Sequence, residues 1–207
     1  GEGAVVFSNT KFGDGDVSFH QARFRNGRKR KEDQPNGAIL FDDSVFGEGN
    51  VRFESAQFGC SGPSIQIGGL QFEEELDYMN ASFQRTNFGV GNVSFNAARF
   101  GNGKISFEDA VFGPGHVSFE NTAFGSGHIN FLNTRVGADF RFQPAKLPAP
   151  DSLDFRYCTF SARFRLTRSD GKPDWEKPIS FEGSSFNGAT EIRNFRFLNV
   201  PEFRSTA

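Results

Sequence analysis

The sequence predicts an all-β solenoid, and both its composition and its residue spacing support this prediction. Phenylalanine supplies 28 of the 207 residues and glycine 24, while methionine and tryptophan each occur once. The phenylalanines are evenly spaced rather than clustered, which is typical of a fold that repeats one packing solution. Over residues 95–131 the steps between them alternate between five and seven residues, so the repeating unit is twelve residues long.

The repeat predicts very short strands. Each phenylalanine follows a small or branched residue two positions earlier, as in Val93-Ser94-Phe95. Residues i and i−2 of a strand share a face, so each such pair predicts two inward side chains. A step of five residues cannot continue that alternation in a straight strand, so the chain must turn a corner. The predicted core includes Phe95, Phe100, Phe107, Phe112, Phe119, Phe124 and Phe131.

Each seven-residue step contains Gly-x-Gly, as at Gly101/Gly103 and Gly113/Gly115. Glycines at fixed offsets are typical of backbone positions that need a positive φ or a tight bend, so these pairs are interpreted as turns. Two twelve-residue units then close a coil of 24 residues with four faces. The chain has room for roughly seven such coils stacked at strand spacing.

The repeat resembles a known family. Tandem Val-x-Phe and Ala-x-Phe pentads, as in VVFSNTKF (5–12), VRFESAQF (51–58) and ISFEGSSF (179–186), are similar to the pentapeptide-repeat family in a Phe-rich variant with Gly-containing links. The resemblance covers residues 4–203 apart from insertions, and it departs from an unbroken A-(D/N)-L-x-x pattern because alternate steps are seven residues long. It implies a right-handed quadrilateral β-helix, and we expect a single domain over residues 1–207.

Polar, proline-bearing stretches interrupt the repeat and predict loops at about 25–38, 143–152 and 165–178. Recognition often lies in loops on a rigid scaffold. The basic run in the first loop predicts either a phosphate contact or a solvated loop tip, because two acidic residues follow it at once. The tryptophan in the last loop predicts either an interface anchor or a side chain that folds back on the rod. The candidate loop contacts are Arg28, Lys29, Arg30, Lys31 and Trp175.

The sequence carries no pattern typical of an enzyme or a metal site. His116 and His128 occupy the same place in successive units, so we expect them on opposite sides of a coil rather than as a catalytic pair. The acidic residues of GDGD at 13–16 do not recur in later units, which favours a turn over a stacked calcium site. Cys60 and Cys158 lack a paired spacing and predict two buried thiols. We therefore expect no enzyme activity, no catalytic residues, no cofactor and no metal.

Net charge and hydropathy limit the classes of partner and location. The formal net charge of −2 disfavours a generally basic surface, so no direct nucleic-acid contact is expected. No apolar run approaches the ~20 residues of a membrane helix and no signal peptide opens the chain, so we expect a cytoplasmic protein without a membrane segment. The chain begins GEGAVVF without a methionine, which fits a fragment of a longer protein. A homodimer is compatible with the sequence but is not signalled by it.

The residues that follow each inward phenylalanine must point outward, and in the middle of the chain many of them are acidic. Residues 38–132 contain eleven Asp or Glu against four Lys or Arg, a net charge of −7, so the two ends together carry +5. The sequence thus predicts a rod that is acidic at its middle. The candidate interaction surface consists of Asp42, Asp43, Glu54, Glu73, Glu108, Asp109 and Glu120.

Three functions fit these features. The first is a non-enzymatic interaction or scaffold module that contacts an unidentified protein through the acidic residues and loops. The second follows from the resemblance, because some bacterial pentapeptide-repeat proteins mimic duplex DNA and bind DNA gyrase, a type II topoisomerase, to inhibit or protect it. The third is a carbohydrate-active β-helix enzyme with carboxylates along one face, although such coils are generally longer and lack a phenylalanine every five or seven residues.

Overall fold

The computed structural model describes residues 4–24, 38–59, 65–67, 70–72, 79–145, 153–169, 174–175, 179–204 and 206. Within these ranges the regular secondary structure consists of short β-strands. The first are β1 (Val5–Val6), β2 (Val17–Ser18), β3 (Arg23–Phe24), β4 (Ala38–Leu40), β5 (Val51–Arg52), β6 (Gln57–Phe58), β7 (Ile65–Ile67) and β8 (Leu70–Phe72).

The middle strands are β9 (Asn80–Ser82), β10 (Val93–Ser94), β11 (Arg99–Phe100), β12 (Ile105–Ser106), β13 (Val111–Phe112), β14 (Val117–Ser118), β15 (Ile129–Asn130), β16 (Arg135–Val136) and β17 (Phe140–Phe142). The last strands are β18 (Leu153–Asp154), β19 (Thr159–Phe160), β20 (Phe164–Thr167), β21 (Asp174–Trp175), β22 (Ile179–Ser180), β23 (Ser185–Phe186), β24 (Thr190–Arg193) and β25 (Arg196–Phe197).

The strands stack in four parallel ladders, which the chain visits in the same order in each regular coil. Ladder 1 is the seven-stranded sheet β1-β4-β9-β12-β15-β18-β22, and ladder 3 is the seven-stranded sheet β2-β5-β10-β14-β17-β20-β24. Ladder 2 contains β13-β16-β19-β23, preceded by single bridges at Lys11, Val45 and Asn87. Ladder 4 contains β3-β6-β11 and a bridge to Ala123.

Paired residues in the regular region are 24 residues apart, as are Val93 and Val117 of ladder 3. Each of the two long ladders has seven strands, so the described residues form seven coils, and Glu202 and Phe203 begin an eighth on top of β22. The prediction of an all-β solenoid with 24-residue coils is therefore confirmed as a parallel β-helix.

The phenylalanine rings fill the inside of the coils. All seven predicted core phenylalanines are at most 1% exposed. Along one corner, rings of successive coils stack with centroids 4.8–5.4 Å apart and planes within 13° of parallel. That spacing is close to the ~4.8 Å between hydrogen-bonded strands, so backbone pairing and ring stacking reinforce each other. The rings of this column are Phe7, Phe41, Phe83, Phe107, Phe131, Phe155, Phe181 and Phe203.

The five-residue steps form tight turns between ladders 1 and 2 and between ladders 3 and 4. The N–H three residues after the phenylalanine donates to its carbonyl, as from Ala98 to Phe95 at 3.0 Å. In ten of these turns the second residue after the phenylalanine has a positive φ of 54–58° although it is not glycine, and in the turn after Phe181 this position is Gly183, with a φ of 68°. The ten residues are Asn9, Gln21, Asp43, Ser55, Arg85, Ala97, Asp109, Asn121, Asn133 and Tyr157.

Of the two predicted roles of the Gly-x-Gly pairs, a positive φ or a tight bend, the structure shows the bend at these pairs. Among the pairs in the described part of the chain, only Gly89 has a positive φ. A Cβ on Gly91 would lie 2.1 Å from the carbonyl oxygen of Gly49, and a Cβ on Gly115 would lie 2.0 Å from that of Gly91. Glycine is required because the backbones of successive links pack directly on each other.

The predicted loop boundaries also differ from the structure. Arg165–Thr167 belongs to β20, because these residues continue the pairing with β24, and Ala38 belongs to β4. Gln143 and Ala145 remain hydrogen-bonded to the preceding coil. The stretch after Phe58, for which no loop was predicted, contains the antiparallel pair β7–β8. In the sequence, the pair Gly68-Gly69 between Ile-Gln-Ile and Leu-Gln-Phe is typical of a β-hairpin.

Replacing Gly115 with alanine should destabilise the coil, because the added Cβ would force two backbones apart. We expect Gly115→Ala to lower the free energy of unfolding by about 1–3 kcal/mol, the usual range for overpacking. The matched control is Gly13→Ala, because a Cβ on Gly13 meets no atom within 4 Å. Urea unfolding measures both variants, and equal shifts of their midpoints would contradict the steric explanation.

Replacing Ala97 with glycine should stabilise the protein, because Ala97 has a φ of 55°. A left-handed conformation costs an L-residue ~1–2 kcal/mol, of which glycine's extra flexibility in the unfolded chain cancels part. We expect a net gain of about 0.5–1 kcal/mol in thermal or urea unfolding. Ala123→Gly, in the bridge of ladder 4, should instead destabilise, and stabilisation by both changes would argue against the turn geometry.

Candidate functional site

The acidic residues predicted as an interaction surface lie on two separate corners of the rod. Asp42, Asp43, Glu108 and Asp109 follow inward phenylalanines at the corner between ladders 1 and 2, in coils 2 and 4. Glu54 and Glu120 lie at the corner between ladders 3 and 4. The seventh predicted member, Glu73, lies outside the described residues. The described carboxylates therefore form two columns rather than one continuous face.

The first column is the set of acidic residues at the corner between ladders 1 and 2. Side chains of adjacent coils form ion pairs or hydrogen bonds with them. In coil 3, Arg85 binds Asp43 in coil 2 with both guanidinium arms, from Nε to Oδ1 at 2.6 Å and from Nη2 to Oδ2 at 2.8 Å. This hydrogen bonding lowers the pKa of Asp43 and raises that of Arg85. Asp42 accepts hydrogen bonds from the Ser82 hydroxyl at 2.5 Å and from the Gln84 N–H at 3.0 Å.

The remaining acidic residues also have partners one coil away. Asp109 accepts a hydrogen bond from Asn133 Nδ2 at 2.7 Å, and Glu108 accepts one from the side-chain amide of Asn130 at 3.2 Å. In the second column Glu120 pairs with Arg141, and Glu54 lies 3.9 Å from His20 Nδ1. Each column therefore has exposed carboxylates, and these carboxylates form hydrogen bonds or ion pairs with side chains of adjacent coils.

A column of internal hydroxyl groups lies just inside the first corner and was missed by sequence reasoning. At the third residue after the phenylalanine, a buried hydroxyl or thiol donates to the phenylalanine carbonyl of the preceding coil. The donors are Ser44, Thr86, Thr134, Cys158 and Ser184. The recurrence of Ser, Thr or Cys at this offset was the available signal. Because these groups are bonded to the backbone, they are structural.

Cys158 is buried and free, as predicted, and burial raises the pKa of its thiol to about 12. At neutral pH the sulfur is therefore a protonated hydrogen-bond donor to the Phe131 carbonyl, not a nucleophilic thiolate. Cys60 lies outside the described residues.

Trp175 was predicted to be either an interface anchor or a side chain that folds back on the rod, and the structure shows the second. Its indole is 1% exposed and packs edge-on against Phe195 with ring centroids 5.6 Å apart. The guanidinium carbon of Arg168 lies 5.4 Å from the centre of the indole. Strand β21, which contains Trp175, pairs with β25 near the C-terminal end. The other candidate loop contacts, Arg28–Lys31, lie outside the described residues.

Two histidines and the possible metal ligands are the remaining polar residues of interest. His116 precedes a strand of ladder 3 and His128 precedes a strand of ladder 1, so they lie on different sides of the coil, as predicted. Over the same residues, no group of three or more His, Cys, Asp or Glu side chains could hold a metal ion. None of the described segments forms a helix of the length and hydropathy that a membrane crossing requires.

The insertions all lie on one side of the rod, between a strand of ladder 3 and the next strand of ladder 1. Residues 25–37 separate β3 of ladder 4 from β4 of ladder 1, and residues 60–78 separate β6 from β9 in the same way. Residues 146–152 lie between β17 of ladder 3 and β18 of ladder 1, and the last insertion, residues 170–173, lies between β20 of ladder 3 and β21, which pairs with β25. We call this side the loop edge. In the middle of the rod it carries only the short links Gly101–Lys104 and Gly125–His128.

No protein-family model, curated protein or solved structure matches the chain. The geometry of the described coils is therefore the basis for any functional conclusion.

Proposed function

We propose that the protein is a pentapeptide-repeat solenoid that works as a non-enzymatic interaction or scaffold module. The observation that carries this proposal is the position of the insertions, since all four lie on the same side of a regular rod, between ladder 3 and the next strand of ladder 1. A regular β-helix gains nothing in packing from confining insertions to one side. A row of variable segments along one edge is instead typical of repeat proteins that recognise a partner.

The interior of the coils supports the same proposal. Phenylalanines and aliphatic side chains fill it, and its hydroxyl column is bonded to backbone carbonyls. The chemistry available to a partner therefore lies on the outer surface, in the carboxylates of the two corner columns and in the insertions. A rigid rod presents such groups at regular intervals of ~4.8 Å, which suits a scaffold.

Trimming the loop edge should abolish partner binding without unfolding the rod. In one variant Gly-Asn-Gly, the sequence of the plain link 101–103, replaces residues 25–37. In a second variant one asparagine replaces residues 60–78, so that Gly59 and Met79 complete a plain link. Far-UV circular dichroism and thermal unfolding check the fold, and affinity capture from the source cells with mass spectrometry measures binding.

We expect at least one protein that the unmodified chain captures to be lost from a trimmed variant. Arg135→Glu on ladder 2 serves as the control, since it changes an exposed charge away from the loop edge. Identical sets of captured proteins for the unmodified chain and both folded, trimmed variants would exclude the loop edge as the recognition surface.

DNA mimicry with binding to a type II topoisomerase is the second candidate. The observation that favours it is the two columns of outward carboxylates, each with members in coils 2 and 4, which are similar to the rows of phosphates on a duplex. The pairing of Asp43 with Arg85 and of Glu120 with Arg141 reduces the negative charge of both columns. Only the unneutralised carboxylates would then attract a basic DNA-binding surface.

A DNA gyrase supercoiling assay tests this candidate. The unmodified protein at micromolar concentration should inhibit supercoiling or protect the enzyme from quinolones, and the double variant Glu108→Lys, Asp109→Lys should lose the effect. Absence of both effects with the unmodified protein would exclude the mimic. An equal effect of the double variant would show that the first corner column is not the contact.

A further inference from the structure

The second insertion, residues 60–78, contains the only antiparallel pair among the described strands. Strands β7 (Ile65–Ile67) and β8 (Leu70–Phe72) are separated in the sequence by Gly68-Gly69. The register pairs Ile65 with Phe72, Gln66 with Gln71, and Ile67 with Leu70. These strands form a sheet of two, and no third described strand pairs with either of them. The hairpin therefore has two outer edges that the described part of the rod leaves unpaired.

The hairpin has the pattern of a sheet that lacks a strand. An isolated two-stranded hairpin is at best marginally stable in water, and three or more strands with an apolar face are needed for independent stability. Residues that alternate along a strand, and residues directly opposite each other in a pair, share a face. The register therefore places both glutamines on one face and four apolar residues on the other, namely Ile65, Ile67, Leu70 and Phe72. A third strand with apolar residues at alternate positions would extend that apolar face.

The register also determines which backbone groups face away from the hairpin. Ile67 and Leu70 flank a two-residue turn, in which the C=O of the first accepts a hydrogen bond from the N–H of the last. Hydrogen-bonded and non-hydrogen-bonded pairs alternate along an antiparallel ladder, so Gln66 and Gln71 form a non-hydrogen-bonded pair. The N–H and C=O of Gln66 therefore point to the outer edge of β7, and those of Gln71 to the outer edge of β8. Each edge offers one donor and one acceptor within its strand, which predicts weak binding.

Neither edge has the features that keep exposed strands from pairing. Natural proteins place charged residues, proline or bulges on such edges. Strands β7 and β8 contain no charged residue and no proline, and their register continues through three pairs without a bulge. We propose that the hairpin is a strand-addition site, where an extended segment of a partner protein pairs with one outer edge. Strand addition rests on the proposed function, because the hairpin is then the part of the loop edge that binds the partner.

Two proline variants distinguish the edges. Proline lacks an N–H and is tolerated where the N–H of an edge strand faces outward. Gln66→Pro therefore blocks the edge of β7, and Gln71→Pro blocks that of β8, without breaking a hydrogen bond inside the hairpin. The partner segment uses one edge, so one variant should weaken binding about tenfold, the cost of a lost hydrogen bond that leaves its partner unsatisfied. The other variant should leave the affinity unchanged, which makes each variant the matched control of the other.

Peptides selected on the full chain from a phage-displayed random library serve as the probe, and fluorescence polarisation measures their binding. The peptides used are those whose binding is lost when one asparagine replaces residues 60–78. We expect them to carry apolar residues at alternate positions. Successive N–H groups of a strand point to opposite sides, so methylating the peptide nitrogen at alternate residues should abolish binding, and methylating the nitrogens in between should not. Far-UV circular dichroism and thermal unfolding check the fold of both proline variants.

Equal losses with both proline variants, equal effects of methylation at every position, or a library without peptides that depend on residues 60–78 would each overturn strand addition. Binding that needs residues 60–78 but tolerates both proline changes does so as well, and the proposed function then stands. Failure of the proposed function is seen instead in identical sets of captured proteins for both trimmed variants. Self-association of the full chain in sedimentation velocity that either proline change abolishes would identify a second copy as the occupant and overturn the proposal.

Discussion

Ring stacking of phenylalanines in step with the β-ladders is the interaction on which the rest of the structure depends. Along the rod each ring lies nearly flat on the ring of the next coil, as Phe107 does on Phe131 with centroids 4.9 Å apart. Across the coil the rings meet edge to face, as Phe107 and Phe119 do at 84°. Both arrangements suit the charge distribution of aromatic rings, so a coil of four phenylalanines satisfies stacking and edge contacts together.

This interior determines what the other positions can do. Coils that stack at ring distance bring their backbones together at the links, which excludes a Cβ from positions such as Gly91 and Gly115. The tight corners use left-handed residues, which turn the side chain of Asp43 or Asp109 toward solvent. Outward side chains then stand above one another at the coil interval, so their natural partners are the same positions of adjacent coils. The ion pair between Asp43 and Arg85 is one result.

Inward residues were predicted well from the sequence, and contacts between surface residues were predicted poorly. Inward residues follow from spacings of a few positions, whereas the surface contacts join residues that are far apart in the chain. Inward residues such as Val93 and Phe95 are two positions apart, so the strand period alone identifies them. Asp43 and Arg85 are 42 residues apart because an insertion separates their coils, and no local spacing reveals that they meet. The steric role of the glycines and the burial of Trp175 likewise depend on contacts between distant coils, which periodicity cannot supply.

One irregularity of the core bears on how the chain finds its alignment during folding. A perfect repeat could slip by a whole coil and preserve its ring contacts, so many misaligned states would compete with the native one. In coil 5, ladder 2 has Val136 where other coils have phenylalanine, and ladder 3 has the larger Phe140 where coils 3 and 4 have valine. Among the described coils this combination of a smaller residue in ladder 2 and a larger one in ladder 3 occurs only in coil 5, where Phe140 packs against Phe160 of coil 6 with ring centroids 5.4 Å apart. The irregular coil 5 therefore makes alignments that are shifted by a whole coil less stable than the native alignment.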